Sequence, residues 1–506
     1  MAAVIPEPVI PTTLDGTKFP AGFGETRVYS ADYWTLRTRS AQVFKDNLYA
    51  RGLIRRLVTN VINTGLTLEA TPIADLIPLA WTEDDWTEWS EDVEGRFELW
   101  GADARVCDYQ SLQTWPEIQQ TVYREAVIEG DVLVIARTGP AGVPRIQIIP
   151  GSMVGTPWGK QPREGNKITQ GVERDSLGRH IAFWVKSATG EMQRIPAIGE
   201  KSGRRIAWLV YGTDKRHAEV RGEPLLSLVL QSVKEIDRYR DAAQRKALLN
   251  AILAIFVTKN GERLGSGPLT GGATRRISGQ VTGTDGSPRQ FNISNLVPGL
   301  MVEEMQAGEE VKAHGLEGTD IRFGEFESAI VSGLAWAHEI PPEILTLAFR
   351  QNYSASRAAV NELKSFLDRE RGRWASNLLA PVYQEYFTAM VAGGRIEAPG
   401  FLAVARDVAA YELAGAWLAA DWNGAIKQSV DIQKEVGAYA QMIAEGLITH
   451  DRAARDVSGM KFSRLIRRLK KENQLKAEAM KPLGGFNPSG ASQPQPATLD
   501  ESEAGE

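Results

Sequence analysis

The chain has 506 residues, 43% hydrophobic and 24% charged, the proportions of an ordinary globular protein long enough to bury several cores. Its 58 Lys and Arg against 63 Asp and Glu give a net charge of −5. Bulk electrostatic capture of nucleic acid needs a basic excess and is disfavoured, leaving room only for a local basic patch. The single cysteine, Cys107, excludes an internal disulfide and any Cys-based zinc or iron–sulfur cage, and is expected to be buried.

The opening residues, MAAVIPEPVIPTT, place prolines where a secretory signal needs an apolar run. The apolar stretch 247–257 falls short of the roughly 20 residues that span a bilayer. The expectation is a soluble, intracellular protein. Residues 1–25, rich in Pro and Gly, read as a flexible arm. Val43, Leu48, Leu53, Ile54, Leu57, Val58, Val61 and Ile62 then recur at threes and fours, a helix ended by Gly65. Trp86, Trp89, Val93, Phe97 and Trp100 repeat the pattern among Asp and Glu. That aromatic face reads as core, because acidic neighbours would repel the phosphates of any stacked nucleic acid.

From 131 to 220 the pattern changes to short β-branched runs punctuated by Gly and Pro, a mostly antiparallel β region. Gly222-Glu-Pro224 opens a helix expected from about 225 to 257. Residues 259–319, rich in Gly, Thr and Ser, predict a small β excursion. A second helix, 323–339, ends at Pro341-Pro342. The polar connector 350–354 leads to some forty residues of helical period, in which Pro381 should kink or divide the helix. Two more helices are expected near 425–445 and 449–478, and the tail from Lys481 reads as disordered.

The sequence offers no catalytic motif. The histidines at 180, 217, 314, 338 and 450 share no metal-ligand spacing, and His338-Glu339 runs into prolines where a zincin would continue. Gly155-Thr-Pro-Trp-Gly-Lys160 has its glycines one residue too close for a phosphate loop and Gln161 where Ser or Thr should bind Mg²⁺. Gly265-Ser-Gly-Pro-Leu-Thr-Gly271 misses the dinucleotide spacing. Both read as turns. No Gly-x-Ser-x-Gly elbow is present. Asp84-Asp85, Glu303-Glu304 and Glu309-Glu310 read as solvated acids. No catalytic, cofactor-binding or metal residue is assigned, no cofactor is expected, and the chain reads as a non-enzyme.

The order of elements carries more information. Tyr123-Arg-Glu-Ala-Val-Ile-Glu-Gly-Asp-Val-Leu133 resembles the segment of lambda-like tailed-phage portal proteins that leads into a β-rich wing. Arg221-Gly-Glu-Pro-Leu-Leu226 resembles the family's approach to its first stem helix. Ile340-Pro-Pro-Glu-Ile-Leu345 with Asn352-Tyr-Ser-Ala-Ser-Arg357 resembles the passage from second stem helix to long wing helix. Trp422-Asn-Gly424, Lys434-Glu435 and Glu445-Gly-Leu-Ile-Thr449 are similar to its C-terminal pattern. This chain departs from it in having Asp431-Ile-Gln before Lys434-Glu435, where the family often shows Asp-Pro, and in a more basic sequence after Ala453.

The resemblance implies an α+β, multidomain portal fold: a mostly antiparallel β-rich wing, long stem and wing helices, a small β-rich clip and a helical crown. On this chain it implies an arm at 1–25, wing at 26–222 and 355–400, stem helices at 223–257 and 320–340, clip at 258–319, tunnel loop at 341–354, crown at 401–475 and a disordered tail at 476–506. The implied function is a ring of about twelve subunits at one capsid vertex, a structural conduit for DNA packaging and ejection. The implied partners are double-stranded DNA passing without sequence preference, the terminase large subunit, the major capsid or scaffold protein, and head-completion or tail adaptor proteins. No membrane is involved, and the protein would be made in host cytoplasm and end in the virion.

Leu345, Thr346, Phe349, Arg350, Gln351, Asn352 and Tyr353 form the implied DNA-facing tunnel loop. Arg350 also reads as a solvated loop charge or an inter-subunit ion-pair partner. Lys461, Arg464, Arg467, Arg468, Lys470 and Lys471 form a basic patch in the crown, beside Leu465, Ile466 and Leu469. It reads as a solvated face or a contact to an acidic neighbour, with packaged DNA as the functional alternative and membrane-surface binding a third reading, weak without an aromatic anchor beside the leucines. The rival functions are another virion structural protein, such as a head–tail adaptor or minor capsid subunit, and a terminase-like motor. A motor needs a phosphate loop and a carboxylate metal cluster; an adaptor should lack paired helices around a β insert.

Overall fold

The computed structural model describes residues 33–139, 142–163, 165–187, 189–200, 202–215, 217, 219–251, 255–259, 278–282, 288–292, 309–313, 323–346, 353–424, 432–458 and 461–479. The chain divides into two units, Met1–Trp422 and Asn423–Glu506.

The first unit begins with α1 (Tyr33–Asp46) and α2 (Leu48–Val61). The apolar period runs through both, yet the chain breaks at Asn47. Its side-chain carbonyl caps α2 by accepting from the Ala50 N–H, which competes with continued helix. After β1 (Thr67–Ala70), α3 (Glu83–Ala102) starts in a reciprocal capping box between Thr82 and Asp85. Trp89, Val93, Phe97 and Trp100 of α3 are buried as the core stripe the spacing predicts. α4 (Ala104–Cys107) ends on the buried Cys107, whose thiol burial raises to about 12, out of reactive range. α5 (Trp115–Glu129) leads into the β region.

Strands β2 (Asp131–Thr138), β3 (Pro144–Pro150) and β8 (Ala207–Tyr211) make an antiparallel sheet ordered β3-β2-β8. Strands β4 (Lys167–Thr169), β5 (Val172–Arg174), β6 (His180–Lys186) and β7 (Met192–Pro196) form a second antiparallel sheet in sequence order. Central β2 is covered on both faces, which is why it reads as an unbroken apolar run. Val132 and Val134 enter the helical core, while Leu133 and Ile135 pack with Phe183, Val185 and Leu209.

The helix expected to reach Val257 stops sooner. A 3₁₀ turn precedes α6 (Leu230–Ala251), and β9 (Ile255–Lys259) follows. The β-branched end pairs antiparallel with β12 (Glu309–Ala313), and β10 (Ser278–Thr282) pairs with β11 (Pro288–Asn292). Pairing with a distant partner overrides the helical period. The expected β excursion is therefore present, with Glu309-Glu310 in β12, while Glu303-Glu304 and the glycines at 265–271 lie outside the described residues. α7 (Phe323–Ala337) returns beside α6, with Tyr239 and Phe326 ring centroids 4.3 Å apart.

After α8 (Pro342–Thr346) come α9 (Tyr353–Trp374), a π-helical turn Ala375–Leu379 and α10 (Ala380–Ala392). Pro381 divides the long helix as expected. The carbonyl it cannot reach in α-helical register, that of Asn377, accepts the Trp208 indole N–H at 3.0 Å. α11 (Phe401–Val404), α12 (Tyr411–Leu418) and β13 (Ala420–Asn423) close the unit, β13 pairing with β1. Trp417 packs edge-on or tilted against Trp81, Trp86 and Trp89.

The second unit holds α13 (Ile432–Ala444), α14 (His450–Ser458) and α15 (Phe462–Ala479). The helix expected at 449–478 is thus two. Asp451 accepts the Phe462 N–H at 2.9 Å and the His450 ring lies 5.1 Å from the Phe462 ring.

Candidate functional site

Two of the sequence motifs meet in a buried ion cluster. Asp131, at the start of β2, is wholly buried, and so, nearly, are Arg37 of α1 and Arg221 just before α6. Arg221 grips Asp131 with both ends of its fork, Nε to Oδ2 at 2.8 Å and Nη2 to Oδ1 at 2.7 Å. Its other N–H groups go to the carbonyls of Gly151, Val154 and Gln170, so the planar guanidinium is fully satisfied. Arg37 donates to Asp131 Oδ2 at 2.9 Å and to the carbonyls of Glu129 and Gly151. Burial alone would raise the Asp131 carboxyl; Arg221, Arg37 and the Gly222 N–H outweigh it and hold the group below the usual range.

Glycine makes this approach feasible. Gly130 has φ +89°, and a Cβ there would sit 2.2 Å from the Gly222 carbonyl oxygen, while one on Gly222 would meet the Gly130 oxygen at 2.1 Å. The Glu-Gly-Asp of one motif and the Arg-Gly-Glu of the other are two halves of one junction. It fixes α1, the central strand and the start of α6 together.

Next to it lies a cleft of about 270 Å³, lined among others by Tyr123, Glu223, Pro224, His338, Arg369 and Arg373. Here the third motif joins. α7 ends with Glu339 in the left-handed region at φ +55°, and the Ile340 N–H reaches back to the Ala335 carbonyl. Pro342 then starts α8, where its missing N–H costs nothing. Glu339 pairs with Arg369 of α9 at 2.7 Å. Arg373 bonds Glu370 at 2.6 Å and the Gly212 carbonyl at 3.0 Å, and Arg371 donates to the Asn60 and Val61 carbonyls at the end of α2. His338 is 6% exposed and its Nε2 has no partner; burial lowers its pKa to about 4.

This junction feeds directly into the expected tunnel loop. Leu345 is half-buried against the core and Thr346 is exposed at the end of α8. Tyr353 opens α9, while Phe349, Arg350, Gln351 and Asn352 lie outside the described residues. In the second unit α15 carries the basic patch. Lys461 is half-buried; Arg467, Arg468, Lys470 and Lys471 are exposed, and nothing is described of the Arg464 side chain. Ile466 and Leu469 are also exposed. Among the described residues no cluster of His, Cys, Asp and Glu could hold a metal, and no helix is long and apolar enough to cross a membrane.

Sequence reasoning singled out the motifs of Asp131 and Arg221 without joining them, and missed Arg37, Glu370 and Arg373. A lone Asp and Arg embedded in apolar and glycine-rich motifs was the available signal for the first two. Arg37 carried none.

Two antiparallel sheets, a helix pair around a strand excursion and a long divided helix make a mixed fold of helices and antiparallel sheet, consistent with the portal type. The family model described as phage portal protein, lambda family, matches residues 14–371. The chain belongs to that family and is a phage portal protein; the adaptor and motor readings are not favoured. α10 to α15 lie beyond the matched stretch. Among solved structures, the neck of a native gene transfer agent particle computed with C12 symmetry aligns at 13% identity and TM-score 0.42, covering 84% of this chain and 93% of that one. The virion of the native gene transfer agent aligns at 13% and 0.42, covering 86% and 95%. An HK97 family phage portal protein from Corynebacterium diphtheriae aligns at 14% and 0.33, covering 70% and 92%. Likenesses this distant carry no weight in the assignment, which rests on the family match.

Proposed function

We propose that about twelve copies of this chain close into a ring at one vertex of the capsid, through heterologous contacts whose rotation closes. The ring is a structural conduit through which double-stranded DNA enters during packaging and leaves during ejection. α6 and α7 are its stem and the strands between them the clip, which docks the terminase motor and later the head-completion and tail proteins. In this reading the tunnel loop expected at 341–354 is the part that meets the DNA. The observation that carries this reading is the family match over 14–371, which takes in both helices, the strands between them and α9.

The chemistry fits a passage rather than a grip. Each neutralised phosphate releases counterions and deepens the trap at one register, so a sliding path needs few fixed cations. A chain at −5 supplies few, and Arg350 with Gln351 and Asn352 would make sequence-blind contacts. α15 would add a basic face in the crown, with contact to an acidic neighbour preferred over contact to packaged DNA.

The test is mass photometry with negative-stain imaging of the full chain, alone and co-produced with its capsid proteins. Rings with a central hole are expected in at least one setting. Closed shells of this chain, or a compact dimer with nucleotide turnover, would overturn the reading.

A further inference from the structure

A second cavity, of about 660 Å³, lies between β6, β8 and one side of α10, and its lining is basic. Arg204, Arg205, Lys215 and Arg406 line it, and the one acid among the lining residues, Glu385, is already held by Arg204 at 2.7 Å. The Arg205 guanidinium stands 5.3 Å from the Trp208 ring centroid and the Lys215 ammonium 5.0 Å from that of Tyr211. His180, in the same wall, has its pKa pushed down to about 4 by burial and by Lys215, Arg174 and Arg205.

The opposite charge stands elsewhere on the same unit. Residues 57–95 contain no Lys or Arg, and Glu83, Asp84 and Glu88 project exposed from the first half of α3. α10 separates the two surfaces. Its Tyr383, Tyr386 and Phe387 meet Phe97 and Trp89 of α3, while its Gln384, Glu385 and Thr388 line the cavity. At 100° per residue these sets lie on opposed faces of the helix. A chain therefore cannot bring its own acidic helix to its own basic cavity.

We propose that the cavity between β8 and α10 receives the acidic first half of α3 from a second copy of this chain. This rests on the ring reading above and gives it one named contact. Pairing unlike surfaces head to tail is the heterologous arrangement that closes rings, whereas a two-fold pairing through either surface sets like charge on like. A nucleic acid fits less well, because the ring faces that bases would stack on are covered by Arg205 and Lys215.

Two full-length variants test it, Arg205→Glu with Arg406→Glu, and Asp84→Lys with Glu88→Lys, followed by sedimentation velocity and mass photometry. Each alone is expected to self-associate about tenfold or more weakly than the native chain, since like charges then face each other. Mixed in equal amounts they restore association, because every contact between unlike variants is complementary again. Native-like assembly of either variant alone overturns the proposal while native rings leave the conduit standing. Loss of assembly by each variant without rescue in the mixture also overturns it. Absence of self-association in the native chain and in the mixture, even beside the capsid proteins, sinks the contact and the ring together. Normal assembly of the Arg205→Glu, Arg406→Glu variant with weakened retention on immobilised duplex DNA would make the cavity a polyanion site instead.

Discussion

Arg221 and Arg468 carry the same guanidinium, in two regions that use charge in opposite ways. Around Arg221 the charge is out of water, so each N–H must find a carbonyl or the Asp131 carboxylate, and each does. A buried ion with one partner missing is costly; with all partners present it fixes a single geometry. On α15, Arg468, Lys470 and Lys471 stand in solvent, where screening reduces the energy of any pair they make. The first region is architecture, joining segments 94 and 90 residues apart in sequence. The second is a surface whose worth depends on what approaches it. Composition counts both equally, and burial alone separates them.

The sharpest break of that contrast is Asp131→Asn, which strands two buried arginines and is expected to destabilise the first unit by about 3–5 kcal/mol. Urea unfolding measures it. A loss under about 1 kcal/mol would mean that water reaches the cluster. Gly222→Ala follows, expected to cost about 2–3 kcal/mol, because the added Cβ lands 2.1 Å from backbone oxygen that Gly130 cannot withdraw.

A smaller effect belongs to His338. Its folded pKa of about 4 lies below the ordinary value near 6.5, so between these values the unfolded chain holds more protons. Stability is full above about pH 6.5 and falls as the pH drops toward 4, by at most about 3 kcal/mol from this group. His338→Leu should flatten that part of the pH profile of unfolding. An unchanged profile would place the ring in solvent. At the small end, Lys470→Ala with Lys471→Ala should shift the unfolding midpoint by less than about 0.5 kcal/mol of stability. A loss comparable to Asp131→Asn would erase the contrast.

Much of the framework was readable from spacing. The aromatic face of α3 kept its helical period because one side of it meets core, and Pro381 marked the division of the long helix because proline has no N–H to give. The β region between 131 and 220 followed from alternation, and the order of motifs pointed to the portal family that the family match bears out. The domain names and the tunnel-loop and crown residues remained expectations: four of the loop residues lie outside the described chain, and contact with DNA is not a property of spacing along it.

What periodicity could not carry was anything decided by contact between distant segments. It ran α1 into α2, because Asn47 caps a new helix only when its side chain turns to the backbone. It ran α6 through to Val257, because β9 is strand only in the presence of β12. It gave no hint that Arg37, Asp131 and Arg221 meet, or that α10 holds an acidic and a basic surface apart. Local patterning is a property of neighbours along the chain and determined the elements and their order. The partners of a buried charge, and the side of a helix on which a surface falls, depend on which segments the fold brings within a few ångströms, and only the tertiary structure decided those.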